Sequence, residues 1–291
     1  MAKTNLKEKK TSSRAALKVV DDKAVKTTSY SDINLKQWKN YDHIKTDTLW
    51  EFPSRLKEGG HSNEYHGNYI PQIAQQVYER FTKQGDIVLD LFFGSGTSGI
   101  EAVNMNRRCI GVELKEDLAE SVSGKFTAKQ LVTDVNIICA DSASNLAKEK
   151  IKTRLEVMGA KKAQLLMLHP PYDDIIKFSD KKEDLSNCSS TEEFYNLFEK
   201  VAQNGYDLLD KGRFACLIIG DKYANSQHIP LGFECMARMN KLGFITKAII
   251  VKDMQGNERA KGKTANLWRY RALAGGFYIF KHEYVMIFQK V

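Results

Sequence analysis

The sequence predicts an α/β domain whose mostly parallel, doubly wound sheet has helices on both faces. From Gly85 onward, short runs of apolar and β-branched residues alternate with longer segments of helical period. This alternation is typical of a parallel sheet between two helical layers. A chain of 291 residues that is 42% hydrophobic can also bury a sizeable core.

Seven strands are expected, and the last two form an antiparallel hairpin. They are predicted at IVLDL from Ile87, RCIGVE from Arg108, VNIICA from Val135, QLLMLH from Gln164, RFACLIIG from Arg213, FITKAIIV from Phe244 and YVMIFQK from Tyr284. Helices are predicted over Leu114 to Leu131, Ser142 to Met158, Thr191 to Leu209 and Leu231 to Leu242. No long helix is expected between Val251 and Tyr284. Open sheets of this kind bind ligands at the carboxyl ends of their strands.

The charge of the chain is positive and unevenly distributed. The formal net charge is +8 and the pI is near 9.0, which favours a polyanionic partner. Residues 1–30 carry eight basic and three acidic side chains and few residues that could form a core. We therefore predict a disordered basic tail over 1–35 and a single domain over 36–291. The tail would act as a solubilising leader or as a loose phosphate-binding arm.

Other features indicate a cytoplasmic protein without a metal site. No apolar run approaches the roughly 18–20 residues that span a bilayer, and the first residues lack the apolar block of a secretory signal. The five cysteines include no CxxC pair, so we expect free, mostly buried thiols rather than a disulfide or a zinc site.

A glycine-bearing turn follows the first predicted strand in GDIVLDLFFGSGTSGIEA, Gly85 to Ala102. Gly94 and Gly96 would let the backbone bend sharply and approach a ligand, while Thr97 or Ser98 could cap the next helix. Dinucleotide-binding folds share this GxG pattern, so the turn alone does not identify the ligand.

Two further acids follow the next two predicted strands. Glu113 ends CIGVE, where a carboxylate can accept hydrogen bonds from both ribose hydroxyls, and Asp141 ends IICAD, where it can accept one from an adenine amino group. The alternative is that both are ordinary loop acids beside helix N-termini.

The order of DLFFGSGTSGIEA, GVE, AD and HPPY resembles the amino-group DNA methyltransferases that use S-adenosylmethionine. The resemblance covers roughly residues 61–291, has the gamma order of motifs and implies the Rossmann-like class I methyltransferase fold. It also implies that NYIPQIAQQVYERF, Asn68 to Phe81, helps to cover the methionine end of the cofactor. The implied cofactor site comprises Asp90, Phe92, Gly94, Gly96 and Thr97 around the methionine part, Glu113 at the ribose and Asp141 at the adenine.

HPPY stands where that family usually has DPPY, NPPY or SPPY. The resemblance implies that His169 and the Pro170 carbonyl accept hydrogen bonds from the target amino group and that Tyr172 stacks on the flipped base. Pro171 completes a stiff turn, because proline has a fixed φ and no amide hydrogen. A neutral imidazole could fill the role of acceptor, so we expect activity to fall as the pH drops through the histidine pKa, near 6.5. Alternatively, His169 marks a lost activity.

A basic, aromatic-bearing insertion at about 252–281 is the predicted nucleic-acid contact. Basic side chains contact phosphates, and aromatic rings stack on bases or fill the gap left by a flipped one. Phe277 and Phe280 are expected only to pack the final hairpin. The candidate contacts are Arg259, Lys261, Lys263, Trp268, Arg269 and Arg271.

The sequence therefore predicts a site-specific DNA methyltransferase that modifies adenine N6 or cytosine N4 in duplex DNA with the target base flipped. An RNA amino-group methyltransferase and an inactive nucleic-acid-binding relative remain alternatives. The target base, the recognition sequence and the oligomeric state stay open, and a homodimer or a restriction-system partner would be compatible.

Overall fold

The computed structural model describes residues 28–61, 67–129, 131, 134–254 and 265–291. The strands are β1 (Leu49–Trp50), β2 (Ile87–Asp90), β3 (Arg108–Glu113), β4 (Val135–Cys139), β5 (Ala163–Leu168), β6 (Leu209–Ile219), β7 (Lys222–Ala224), β8 (Gln227–Ile229), β9 (Phe244–Asp253) and β10 (His282–Lys290). The α-helices are α1 (Pro71–Phe81), α2 (Thr97–Asn104), α3 (Glu116–Ala128), α4 (Asn145–Val157), α5 (Thr191–Leu208), α6 (Leu231–Lys241) and α7 (Ala265–Gly275).

Eight strands form the central sheet, in the order β1-β9-β10-β6-β5-β2-β3-β4. Only β10 runs antiparallel to its neighbours β6 and β9, which confirms the mostly parallel α/β class and the antiparallel final hairpin. The strand order reverses between β2 and β5, because β2 lies between β3 and β5. Such a reversal opens a crevice at the carboxyl ends of the strands, where open α/β sheets bind ligands.

The predicted count of seven strands was one too low for the sheet. The additional strand, β1, has two residues and pairs with the end of β9, so it is too short to produce an alternating pattern. The separate β7–β8 hairpin was also not predicted. The expectation of no long helix between Val251 and Tyr284 was wrong in part, because the 11-residue helix α7 lies there.

The buried strands form two cores because successive side chains point to opposite faces of the sheet. Leu89 of β2 and Leu166 of β5 belong to the core beneath α5, whereas Val88 and Leu165 belong to the core beneath α1. The helices that cover the two faces bring apolar stripes to these cores, as the amphipathic pattern requires.

The predicted start of the domain at residue 36 is too late. Ser31 is buried, and the ring of Tyr30 lies edge-on to that of Phe214 with the centroids 4.8 Å apart. The carboxylate of Asp32 accepts a hydrogen bond from the backbone N–H of Gln84 at 2.7 Å. Residues 30–32 therefore pack on the domain, while the predicted tail over 1–27 lies outside the described residues.

All five cysteines are free thiols, and three are buried as expected. Cys139, at the end of β4, is exposed instead. Within the described ranges there is no group of three or more potential metal-ligating side chains, and no helix is long and apolar enough to span a membrane.

Candidate active site

A cleft opens at the strand reversal, at the carboxyl ends of β2, β3, β4 and β5. It encloses about 860 Å³ including the solvent at its mouth. The predicted site residues on its wall are Phe92, Gly94, Thr97, Glu113, Asp141, His169, Pro170 and Pro171. Other parts of the wall include Asn68 and Tyr69 before α1 and Phe178 and Glu183 to Leu185 after the HPPY turn.

The glycine turn uses its two glycines for different purposes. Gly94 has φ +53°, lies on the cleft wall and donates its N–H to a carboxylate oxygen of Glu113 at 2.9 Å. Gly96 has φ +89° and caps α2. A Cβ at Gly96 would lie 2.9 Å from the Val122 side chain, so this position requires both the left-handed backbone and the absence of a side chain. Gly96 therefore shapes the turn from behind and does not line the cleft.

Asp90, at the end of β2, also lies behind the wall. Its side chain accepts hydrogen bonds from the hydroxyl of Ser98 and from the N–H of Phe92, the latter at 2.8 Å. Ser98 in turn contacts the hydroxyl of Tyr69 at 2.5 Å. Burial raises the pKa of Asp90 to about 6, against the opposing effect of these hydrogen bonds. The carboxylate thus ties the glycine turn to α2 and to the segment before α1.

Glu113 and Asp141 stand on the wall as the sequence predicts. Glu113 accepts the N–H of Lys115 at 2.8 Å with one oxygen and that of Gly94 with the other, and burial raises its pKa. Asp141 accepts the N–H of Ala143 at 2.9 Å. Because an ionised carboxylate has about four lone-pair sites, both side chains keep acceptor capacity for ligand hydroxyl or amino groups.

The HPPY turn follows β5 and forms the opposite side of the cleft. His169 is partly buried, and burial lowers its pKa to about 4, with Lys252 and Arg55 contributing while Glu283 opposes them. The expected loss of activity near pH 6.5 therefore needs correction, because the structure keeps this imidazole neutral to a much lower pH.

Tyr172 does not line the cleft. Its hydroxyl donates to a carboxylate oxygen of Glu283 at 2.8 Å and lies 3.4 Å from Nε2 of His169. A Cβ at Gly220 would be 2.9 Å from the Tyr172 ring, so the glycine lets the ring lie against the backbone after β6. The predicted base platform is thus held on a face beside the cleft.

Three charged residues that support the turn were not predicted. Glu283 at the start of β10 pairs with Lys252 near the end of β9 at 2.8 Å, and both side chains are buried. Lys222 of β7 bonds to Asp173 at 2.6 Å and to Asp174 at 2.7 Å. For two of them the sequence contains a signal, because Lys252 and Glu283 stand inside the strand patterns IIVKD and HEYVMIF. A buried charge without a partner is costly, so a charged residue in a buried strand indicates an ion pair.

Asp173 directly follows the turn in a left-handed conformation, with φ +54°. Its carboxylate accepts hydrogen bonds from Lys222 and from the hydroxyl of Thr191, the latter at 2.7 Å. A non-glycine residue in this region of φ is uncommon, and surrounding contacts must stabilise it. Lys222 and Thr191 therefore fix the exit of the HPPY turn.

Three of the six predicted nucleic-acid contacts, Trp268, Arg269 and Arg271, lie among the residues that the structure describes. Arg259, Lys261 and Lys263 lie outside the described residues. On α7, Arg269 and Arg271 are exposed, and the Arg271 guanidinium lies 5.3 Å from the centroid of the partly buried Trp268 ring.

The segment after α7 packs on the β7–β8 hairpin. Phe277 stacks on Tyr223 with the ring centroids 4.6 Å apart, and Phe280 meets His228 edge-on at 5.2 Å. Both phenylalanines have packing roles, but these contacts are with the β7–β8 hairpin and not with the final hairpin that the sequence suggested. Because β9 is parallel to β6, the chain that follows β9 leaves the sheet at the same strand ends where the cleft lies. The exposed arginines of α7 belong to this same chain segment.

Comparison with known proteins gives one match over most of the chain and shorter matches to curated proteins. The N6_N4_Mtase family model, described as DNA methylase, matches residues 3–123 and 163–291. Over 87 residues the chain is 37% identical to the probable type III restriction-modification enzyme HindVI Mod subunit of Haemophilus influenzae, covering 28% of this chain and 12% of that protein. Over 84 residues it is 30% identical to the type II methyltransferase M.MjaII of Methanocaldococcus jannaschii, covering 27% and 16%.

Solved structures resemble the chain at low sequence identity. TrmN from Thermus thermophilus superposes with a TM-score of 0.48 at 16% identity, over 78% of this chain and 50% of that one. A methyltransferase from Pyrococcus furiosus gives 0.45 at 14% identity, over 78% and 88%.

Proposed function

The chain belongs to the N6_N4_Mtase family of DNA methylases, and from this premise we propose that it methylates an exocyclic amino group of adenine or cytosine in DNA. The observation that carries the proposal is the single cleft at the strand reversal. Two strand-end carboxylates line one part of that cleft and the HPPY turn lines another. Cofactor and target amine would then meet inside one small volume, which is what a direct transfer between them requires.

The cleft suits S-adenosylmethionine, the cofactor of this family. Glu113 and Asp141 are hydrogen-bond acceptors on the wall, matched to the hydroxyl and amino donors of an adenosine. Phe92 and Val112 supply apolar surface beside them. The bound cofactor supplies a methyl group on a positively charged sulfur, and the acidic wall residues favour a cation over an anion. Gly94 and Thr97 would approach the methionine part.

On the opposite side, His169 and the Pro170 carbonyl would position the target amine. An imidazole that stays neutral at physiological pH has a lone pair that accepts a hydrogen bond from an amino group, and it can take up a proton from that group. The prolines keep the backbone carbonyls of the turn free of competing amide hydrogens. The ring of Tyr172, fixed beside the cleft, would receive the flipped base and recover part of the unstacking energy.

The chain between β9 and β10 would bind the DNA duplex through phosphate contacts. Arg269 and Arg271 are exposed on α7 and face no acidic partner among the described salt bridges. Lys261 and Lys263 would add to this contact. A restriction-system partner belongs to the same proposal, since the Haemophilus relative is itself named a Mod subunit.

The test is to incubate the protein with mixed-sequence duplex DNA, single-stranded DNA and RNA in competition, with S-adenosylmethionine at pH 8. The products are digested to nucleosides and identified by mass spectrometry, and the His169→Ala variant serves as the control. We expect N6-methyladenine or N4-methylcytosine from duplex DNA, absent with the variant. Methylated RNA alone would make the protein an RNA methyltransferase. Intact cofactor binding without a product in any substrate would refute the proposed activity.

A further inference from the structure

A chain of buried polar contacts connects the end of the sheet to His169. Lys252 on β9 donates to Oε1 of Glu283 at 2.8 Å, and Oε2 of Glu283 accepts the hydroxyl hydrogen of Tyr172 at 2.8 Å. The Tyr172 oxygen then lies 3.4 Å from Nε2 of His169. The side chains of Lys252 and Glu283 are 2% and 9% exposed, so water does not compete effectively for these bonds.

Counting hydrogens along this chain fixes the state of the imidazole. The lysine ammonium can only donate, and an ionised carboxylate can only accept. Tyr172 has one hydroxyl hydrogen, which it donates to Glu283, so its oxygen has only lone pairs to offer His169. Nε2 of a neutral His169 must therefore carry the ring hydrogen, and Nδ1 keeps the lone pair.

We propose that Glu283, held by Lys252 and acting through Tyr172, fixes His169 in the Nε2–H tautomer and so makes Nδ1 the acceptor for the target amine. Glu283 and Lys252 are positioning residues in this account, and the role of Nδ1 rests on the proposed function. No described residue hydrogen-bonds to Nδ1, and His169 lines the cleft. The free lone pair thus belongs to a ring that stands at the proposed site of the reaction.

The same arrangement accounts for the proton released in the reaction. An amine that has gained a methyl group carries one hydrogen more than the neutral product. That proton passes from the amine nitrogen to Nδ1, which makes His169 an imidazolium with hydrogen on both nitrogens. The carboxylate of Glu283, two contacts away, attracts this positive charge, and the imidazolium afterwards returns the proton to solvent.

The first experiment measures the tautomer in the protein without DNA or cofactor. Full-length protein is labelled with ¹⁵N-histidine, and the ring signals are recorded at pH 7 by long-range ¹H–¹⁵N correlation. The His169 signals are identified from their loss in His169→Ala. We expect a protonated Nε2 and an unprotonated Nδ1 in a single tautomer. A wild-type His169 with the hydrogen on Nδ1, or with an even mixture, would overturn the proposal without any further variant.

The variant Glu283→Gln should reverse the tautomer of His169. Lys252 still needs an acceptor, so it selects the amide oxygen and leaves the amide NH₂ facing the Tyr172 oxygen. Tyr172 must then accept from this amide and donate its own hydrogen to Nε2 of His169. We expect the ring hydrogen to move to Nδ1. An unchanged tautomer in folded Glu283→Gln would contradict the proposal.

Two further variants serve as controls for this result. Tyr172→Phe removes the connecting oxygen, so both tautomers should appear. Glu79→Gln alters the exposed Glu79–His43 pair, which lies 2.8 Å apart, and should leave the His169 signals unchanged.

The rate of methyl transfer tests whether Nδ1 of His169, once fixed as the free nitrogen, acts as the acceptor. In Glu283→Gln we expect the rate at saturating cofactor to fall about 100-fold, in the range typical for loss of a positioned acid or base, with cofactor affinity unchanged. If the tautomer reverses and the rate does not fall, His169 is fixed by Glu283 but is not the acceptor, and the second half of the proposal fails. A wild-type protein with the expected tautomer and no activity on any nucleic acid would instead refute only the proposed function.

Discussion

The two ends of the cleft are stabilised in different ways. At the cofactor end, Glu113 and Asp141 bond to backbone N–H groups close by, such as those of Lys115 and Ala143 two residues onward. At the catalytic end, the HPPY turn depends on side chains from distant parts of the chain, and Tyr172 bonds to Glu283, 111 residues away. The bonds to the two acids come from loop residues, the most distant being Gly94, 19 residues from Glu113. The supports of the HPPY turn include Lys222, 49 residues from Asp173, and Glu283.

This difference implies that the two ends respond differently to substitution. Removing a wall carboxylate at the cofactor end should weaken cofactor binding and leave the fold intact. Removing a supporting charge at the catalytic end should also destabilise the fold, because a buried partner is left without its counter-ion.

Lys222→Met should have the largest effect. The substitution leaves the buried Asp173 carboxylate, 2% exposed, without its cation, and loss of one partner of a buried pair typically costs about 3–5 kcal/mol. We expect the free energy of unfolding in urea to fall by about 3 kcal/mol, and methyl transfer to fall with it. Lys177→Met is the matched control, because its pair with Asp180 is exposed and should contribute less than about 1 kcal/mol. Equal losses in the two variants would contradict this role of Lys222.

Glu113→Ala tests the cofactor end. A hydrogen bond to a charged group contributes about 1.5–3 kcal/mol, so the dissociation constant for S-adenosylmethionine should rise roughly 10- to 100-fold in calorimetric titration. The rate at saturating cofactor should stay near that of the wild type. Glu116→Ala, at the exposed first residue of α3, should change neither quantity. An unchanged affinity in Glu113→Ala would remove the assignment of the ribose site.

The pH dependence of the transfer rate tests the protonation state of His169 at the catalytic end. Burial lowers the pKa of His169 to about 4, and the charged groups around it are Glu283, Lys252 and Arg55. At saturating substrates His169 should therefore cause no decline in the transfer rate from pH 8 to about 5.5 and should lower the rate only as the pH approaches 4. A decline centred near pH 6.5 that is absent from His169→Asn would contradict the buried, neutral histidine.

The lowered pKa of His169 also affects how the stability of the fold depends on pH. Because the folded pKa of His169 lies below its unfolded value, the unfolded chain binds more protons between about pH 6.5 and pH 4. This group therefore lowers the stability of the fold as the pH falls through that interval. Urea unfolding of the wild type and His169→Asn across the interval should show a smaller decline in the variant.

Arg269→Ala should have the smallest effect. Removing one phosphate contact should weaken DNA binding only a few-fold and reduce the slope of log affinity against log salt by about 1. Fluorescence anisotropy between 50 and 200 mM salt measures both quantities. Arg238→Ala, whose guanidinium is engaged by Glu192 and Glu199 on α5, is the control and should leave the slope unchanged.

The contrast between the ends also explains what the sequence could predict. Glu113 and Asp141 follow strands that the apolar pattern identifies, and parallel strands bring their carboxyl ends to one edge, so a common site was predictable. The position of Asp90 behind the wall was not, because it depends on the hydroxyl of Ser98 eight residues later. Gly96 likewise serves packing against Val122, which a GxG pattern does not distinguish from contact with a ligand.

The supports of the HPPY turn could not be predicted from local pattern. Glu283 meets Tyr172 because β10 inserts antiparallel between β6 and β9, and this order is set by tertiary packing. The low pKa of His169 has the same origin, since burial and surrounding charges determine it. β1 was missed for a different reason, because two residues carry no period.

The most direct test of the central claim is the single-turnover rate of methyl transfer to DNA by His169→Ala and His169→Asn, measured with cofactor affinity in each. Alanine removes the acceptor, whereas asparagine keeps a side-chain oxygen that can accept from the target amine. The account predicts a rate about 100-fold or more below the wild type for His169→Ala, a rate between the two for His169→Asn, and unchanged cofactor affinity in both. A His169→Ala enzyme that transfers methyl groups at the wild-type rate would contradict the claim that this histidine holds the amine.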